Sequence, residues 1–240
     1  MKKTYDRNPL VFALIWIGIY CVVQSLGNMI SSKIGVYKSA NAVLAVAQAV
    51  ILLLWLHKYG LMKAFGLNKP TQSGGKMLFY LPLVLICTRN LWNGWSMNLK
   101  PAELCFHIIL MICVGFLEEL LFRGFLFESL AKDNMASAIA VSSITFGIGH
   151  ILNLFNGSGM DFMAVLVQIV MAIAIGFLLV MVYLRSGSII PCMITHAVIN
   201  ITSAFANEQL MQVNFLQDGI LIVIIIAYLL ILSKTAPMKR

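Results

Sequence analysis

Long apolar runs separated by short polar connections make up most of the chain. They lie near residues 10–30, 39–56, 77–95, 102–127, 136–155, 162–184, 190–206 and 218–233. A helix needs about 20 mainly apolar residues to cross the hydrocarbon core of a bilayer. The pattern therefore predicts an all-α, polytopic transmembrane bundle of about eight spans. Polar residues interrupt the fifth and seventh runs. Gly66, Pro70, Gly74 and Gly75 mark the longest polar connection, residues 61–76, which needs no role beyond linking. Asn156-Gly157-Ser158-Gly159 forms a turn signal between the fifth and sixth runs. No internal repeat and no pair of matching broken helices is visible, which weighs against a secondary transporter.

Composition sharpens this picture. Hydrophobic residues make up 60% of the chain and charged residues 11%, against roughly a quarter charged in a soluble domain. No hydrophilic block is long enough to fold separately, so residues 1–240 read as a single membrane domain. A net charge of +8 raises the question of nucleic acid. The basic residues lie mostly in short connections and tails, where they act as topology signals instead. With the N-terminus inside, Lys2, Lys3, Arg7, Lys58, Lys63, Lys69, Lys76, Lys132, Arg185, Lys234, Lys239 and Arg240 fall on the cytoplasmic side. Only Lys33, Lys38 and Lys100 fall opposite. Both termini are therefore expected in the cytoplasm. The first apolar run is too long for a signal-peptide core and no Ala-x-Ala-like site follows, so it is expected to stay as a helix. The five cysteines sit in apolar runs without a CxxC pair and read as packing residues. Trp16, Trp55, Trp92 and Trp95 lie in or near span ends, where aromatic belts form, although Trp16 is somewhat deep.

Three polar clusters break the apolar pattern at membrane depth. A charge there costs about 2.5–3.5 kcal/mol on insertion scales and is rarely present without a role. The first cluster is Glu118-Glu119-x-x-x-Arg123. Glu119 and Arg123 are i,i+4 neighbours in the favourable order, while Glu118 points about 100° round the helix. One carboxylate is thus paired and the other free. The second cluster is Phe146-x-x-x-His150, continued by Asn153; Phe146 can wall the imidazole, and Gly147 and Gly149 allow a close backbone approach. The third is His196-x-x-x-Asn200, with imidazole and amide on one helical face.

Each cluster alone has a plain structural reading as interhelical hydrogen bonding or an ion pair. Together they supply the parts of a hydrolase. Glu118 and His150 can activate a water, and His196 and Asn200 can stabilise an oxyanion. Alternatively Glu118, His150 and His196 can ligate Zn²⁺ with one position left open for water. Ser142, Ser143 and Cys192 have no third orienting group and make poor nucleophiles. Simple helix rise leaves the depth of His196 relative to Glu118 open: either the seventh span begins deeper, or the fourth ends sooner, near Gly124. Glu103 and His107 form an i,i+4 pair at the outer end of the fourth span, in line with Glu118. Arg89 either snorkels to the outer interface or pairs with an acid.

These three clusters, in order and inside apolar runs, resemble the EExxxR, FxxxH and HxxxN motifs of the CAAX-protease and bacteriocin-processing family of membrane endopeptidases, also called Abi or type II CAAX prenyl endopeptidases. The resemblance covers about residues 100–203, and Phe65-Gly66-Leu67-Asn68-Lys69-Pro70 resembles a loop of bacterial members. It implies an intramembrane endopeptidase in which Glu118 with His150 activates water. Glu119, Arg123, Phe146 and Asn153 then support the site, and His196 with Asn200 forms the oxyanion hole. The family is often labelled metallo-, but no third clean ligand beyond Glu118, His150 and His196 is evident, so metal-free water activation is favoured over Zn²⁺. The expected partners are a peptide or membrane-anchored substrate and the lipid bilayer, not nucleic acid. The expected location is the plasma membrane of a bacterium, with bacteriocin-leader or CAAX-like processing as the role. A non-catalytic bacteriocin self-immunity or interaction protein and a proton-coupled transporter are the alternatives.

Overall fold

The computed structural model describes residues 1–156, 159–207 and 215–236. These residues are all-helical, with one isolated β-bridge between Trp95 and Ala206. The helices are α1 (Lys2–Arg7), α2 (Pro9–Ile34), α3 (Ser39–Lys58), α4 (Leu81–Cys87), α5 (Pro101–Glu119), α6 (Glu128–Leu130), α7 (Met135–Ile148), α8 (Phe162–Ser186), α9 (Ile190–Thr202) and α10 (Phe215–Thr235). Between α5 and α6 the chain stays helical but widens into a π-helix, Leu120–Phe127. Local signals set the boundaries. Pro9 opens α2 behind an Asn8 cap, whose side chain accepts from the Val11 N–H at 3.1 Å. Asn134 and Asp161 cap α7 and α8 in the same way.

Among the described residues six helices are long and apolar enough to cross a membrane: α2, α3, the α5–α6 unit, α7 with its 3₁₀ extension, α8 and α10. The two other apolar runs depart from a regular span. Residues 77–95 are not one helix; two 3₁₀ stretches flank the seven residues of α4, and Leu78, Phe79 and Tyr80 have positive φ. The run nevertheless extends alongside α10 for its full length. The Thr235 hydroxyl donates to the Lys76 carbonyl at one end, and Asn93 exchanges amide hydrogen bonds with Gln217 at the other. The α9 run is short, 13 residues with a 3₁₀ continuation to Phe205.

The reason α9 is short lies in the connection 61–76, which is built into the fold. The Ile189 N–H donates to the Gly66 carbonyl at 2.9 Å and the Thr71 N–H to the Ser186 carbonyl at 2.7 Å. Asn68 donates to the Gly187 carbonyl at 2.9 Å and accepts on its own carbonyl from the Ser188 hydroxyl. These bonds satisfy the polar backbone of the α8–α9 turn, and Ser186, Ser188 and Ile189 are fully buried. The seventh run thus begins well inside the molecule. Phe65 from the same connection packs on Phe125 and Tyr5, in an aromatic cluster with Phe12 and Trp55. Trp16 joins Phe12 there as a buried side chain, so it is a core residue and not part of a belt.

Candidate active site

Helix contact brings the three clusters together. A Cβ on Gly115 would stand 2.8 Å from the Met193 carbonyl oxygen and 2.9 Å from Ala197. Only glycine lets α5 and α9 approach this closely, and that approach sets Glu118 and Glu119 beside His196. On the other side, a Cβ on Gly147 would meet Ile173 at 2.3 Å, so α7 lies tight against α8. Gly149, expected to serve the same purpose, faces open space.

The two adjacent carboxylates part as the helical spacing predicts. Glu119 and Arg123 are both fully buried and bonded at 2.9 Å. The same oxygen, Glu119 Oε1, accepts from His196 Nδ1 at 2.9 Å. Arg123 also donates to the Gly176 carbonyl at 3.2 Å. An ionised carboxylate accepts only, so Nδ1 of His196 carries the proton and Nε2 is left for chemistry. That Nε2 lies 3.7 Å from Glu118 Oε2. His196 and Glu118 are therefore level, and the deep start of α9 is the reason. Glu118 keeps contact with the cavity, its side chain 16% exposed.

His150 sits just past the end of α7, in the 3₁₀ turn Gly149–Leu154. Its Nδ1 bonds the Phe146 carbonyl at 3.2 Å, which again assigns the proton to Nδ1 and frees Nε2. Phe146 itself is the hub of the cluster. The Arg123 guanidinium lies 4.3 Å from its ring centre, and the His150 and His196 rings meet it edge-on at 5.6 and 5.5 Å. Phe122 packs against it at 5.4 Å. A cation over an aromatic face contributes from about 0.5 to 2 kcal/mol, the more so when desolvated. Phe146 thus fixes all three motifs relative to one another.

Asn200 lines the cavity, and its backbone carbonyl accepts from His107 Nε2 at 3.1 Å. His107 therefore braces the end of α9. It does not pair with Glu103, whose carboxylate accepts from the Lys100 N–H at 3.1 Å at the start of α5. Asn153 stands further out, donating to Gln168 at 2.8 Å and accepting from Asn156 at 2.9 Å. Arg89 pairs with Asp218. The Ser142, Ser143 and Cys192 groups donate to the backbone carbonyls of Phe122, Ile139 and Leu179, so none is poised as a nucleophile.

One residue of the site escaped sequence reasoning. The Tyr20 hydroxyl, on α2, donates to Glu118 Oε1 at 2.6 Å. It holds one carboxylate oxygen and leaves Oε2 towards His196. Nothing in the sequence marks Tyr20, since an isolated tyrosine in an apolar run reads as packing.

Glu118, His150 and His196 are the residues that a metal would need. Among the described residues no three His, Cys, Asp or Glu side chains gather at a spacing that would hold an ion. Glu118 is tied to Tyr20. The donor set as arranged does not fit a zinc site.

All of these groups border one cavity of about 590 Å³. No curated protein and no solved structure matches the chain. Residues 100–202 match the family described as Type II CAAX prenyl endopeptidase Rce1-like. That stretch begins at the start of α5 and ends at the last residue of α9, so it contains every motif residue that the cavity brings together. With its apolar helices the chain is an integral membrane protein, and over residues 100–202 it is similar to the Rce1-like type II CAAX prenyl endopeptidases, a family of proteases.

Proposed function

We propose that this protein is an intramembrane endopeptidase that hydrolyses a peptide bond with a water activated by Glu118. The observation that carries this reading is the unequal treatment of the two carboxylates. Glu119 is neutralised by Arg123 and engaged by His196, whereas Glu118 borders the cavity with one oxygen free of Tyr20. Glu118 takes a proton from water while His150 Nε2 orients it, and the resulting hydroxide attacks the scissile carbonyl carbon. The negative oxygen that forms is met by the Asn200 amide and by His196. The His196 ring serves as a donor there in its protonated form, with Nδ1–H on Glu119 and Nε2–H on the oxyanion. With Glu118 protonated, the Glu119 carboxylate and the oxyanion are balanced by the Arg123 guanidinium and the imidazolium, so the site carries no net charge. The proton held by Glu118 passes to the leaving amine as the C–N bond breaks. The donor arrangement favours this route without a metal.

Purified protein assayed on a quenched peptide library in the presence of a chelator tests the reading. Glu118→Gln keeps shape and hydrogen bonding but removes the base, so cleavage falls to background while folded yield is unchanged. Asn200→Ala removes one oxyanion donor and lowers turnover by about 10²–10³. Cleavage lost to the chelator and restored by zinc would replace the metal-free route with a metal-dependent one. A fully active Glu118→Gln protein would remove the peptidase reading.

A further inference from the structure

The cavity is open at one end of the bundle only in a particular sense: every element that forms its outer part contributes the end remote from the chain termini. Gln24 and Asn28 come from the second half of α2, Lys38 from just before α3, Ser203 from just past α9 and Asp218 from the start of α10. The end near the termini is closed by the 61–76 connection, bonded to the α8–α9 turn, and by the aromatic cluster around Phe12 and Phe65. The lysine and arginine bias assigns that closed end to the cytoplasm, twelve basic residues against three.

The chemistry of the outer part is equally specific. Eleven of the lining residues are Asn or Gln. The formally charged ones are Lys38, Arg89, Glu118 and Asp218, and Arg89 and Asp218 pair with each other. Lys38 donates to Asn28 at 2.9 Å, and burial pulls its ammonium below the usual lysine range. An anionic headgroup or free phosphate asks for a cluster of cations, which this wall lacks. A carboxamide offers both a donor and an acceptor, as does each unit of an extended polypeptide backbone. Deeper in, Leu110, Val114, Met171, Ile199 and Leu221 supply apolar walls.

Most of these carboxamides already bond to one another or to the backbone, as Asn41 does with Gln24, Asn93 with Gln217 and Asn153 with Gln168, and each keeps further donor or acceptor capacity. Resting on the peptidase reading, we infer that the cavity is an extracytoplasmic vestibule for an extended, uncharged stretch of polypeptide, whose backbone meets the remaining capacity of the amide wall on its way to Glu118. Its substrates are then peptides or membrane-protein segments exposed on the far side of the membrane from both termini. A lipidated C-terminus presented in the cytoplasm does not reach it.

Thiol labelling tests both halves without requiring turnover. The five native cysteines are replaced, and single cysteines are placed by Ser203→Cys, at the cavity rim, and Lys63→Cys, at the closed end. A membrane-impermeant maleimide applied to intact cells is expected to label the first, and to label the second only after permeabilisation. The reverse pattern, or labelling of neither before permeabilisation, overturns the sidedness. In purified Ser203→Cys protein that also carries Glu118→Gln, a neutral, extended ten-residue peptide is expected to slow labelling several-fold. Inorganic phosphate and anionic lipid vesicles are expected to leave it unchanged. Protection by phosphate or vesicles but not by peptide overturns the ligand class. Labelling reports access and occupancy, so these results stand apart from whether the protein cleaves.

Discussion

Two carboxylates one peptide bond apart live in opposite worlds in this molecule. On the Glu119 side everything is dry, charged and paired: the carboxylate and Arg123 are fully buried and bonded to each other, and Arg123 is also held by the Gly176 carbonyl and the Phe146 ring. On the Glu118 side a single neutral donor, Tyr20, and an imidazole nitrogen at 3.7 Å border an open cavity. The helix makes this division by geometry alone, since adjacent residues point about 100° apart. On the proposed function the buried pair orients and the cavity carboxylate reacts, and His196 lies between them, 2.9 Å from Glu119 and 3.7 Å from Glu118.

The strongest attack on this division is Arg123→Ala. Removing one partner of a buried pair usually costs 3–5 kcal/mol, because the other charge is left without compensation. Loss of folded protein on gel filtration in detergent is therefore expected, and a normal yield would show that Glu119 has another counter-charge. A subtler attack is Glu119→Gln. The amide keeps the shape and still accepts from His196 and Arg123, but the imidazole loses its anionic partner. Disturbing such an orienting partner commonly costs about 10–100-fold. That loss is expected in kcat of the protein that folds, with KM little changed, while the Arg123 guanidinium left without its counter-charge lowers thermal stability; an equal loss in binding would assign Glu119 to the substrate side. The smallest effect is expected from Tyr20→Phe, which removes one hydrogen bond worth about 1 kcal/mol. A few-fold fall in kcat is expected. In a Glu118→Gln background the same change should do nothing further, and an additive loss would show that Tyr20 acts independently of Glu118.

Much of this was legible in the sequence because it is local. The i,i+4 pairing of Glu119 with Arg123, the exclusion of Glu118 from that pair and the placing of Phe146 beside His150 follow from helical periodicity. What was not legible depends on contacts between distant parts of the chain. The depth of His196 is set by the 61–76 connection, which looked like a linker and instead covers the α8–α9 turn through Gly66, Asn68 and Thr71. The break in residues 77–95 is equally hidden, because an apolar run reads the same whether it is a continuous helix or is interrupted by positive φ at Leu78, Phe79 and Tyr80. Tyr20 becomes a site residue only once α2 lies against α5. The fate of Arg89 was open between snorkelling and pairing, and Asp218, more than a hundred residues away, decided it.

The widened helix Leu120–Phe127 has a consequence for how the chain tolerates change in length. A π-turn closes its hydrogen bonds one residue further along than an α-turn, and such turns are frequent at functional sites. The segment therefore behaves as stored slack. Deleting one residue within Leu120–Phe127 lets the helix relax to ordinary α geometry without dragging the flanking faces out of register, whereas the same deletion inside α5 rotates every following side chain by about 100°. Length variation in a lineage of such chains should thus accumulate in this stretch and not before Glu118. Arg123 lies within the slack, so the same deletion that spares the flanking helices moves the guanidinium relative to Glu119 and Phe146 and disturbs the buried pair. Slack in length thus sits where the charge pairing tolerates it least.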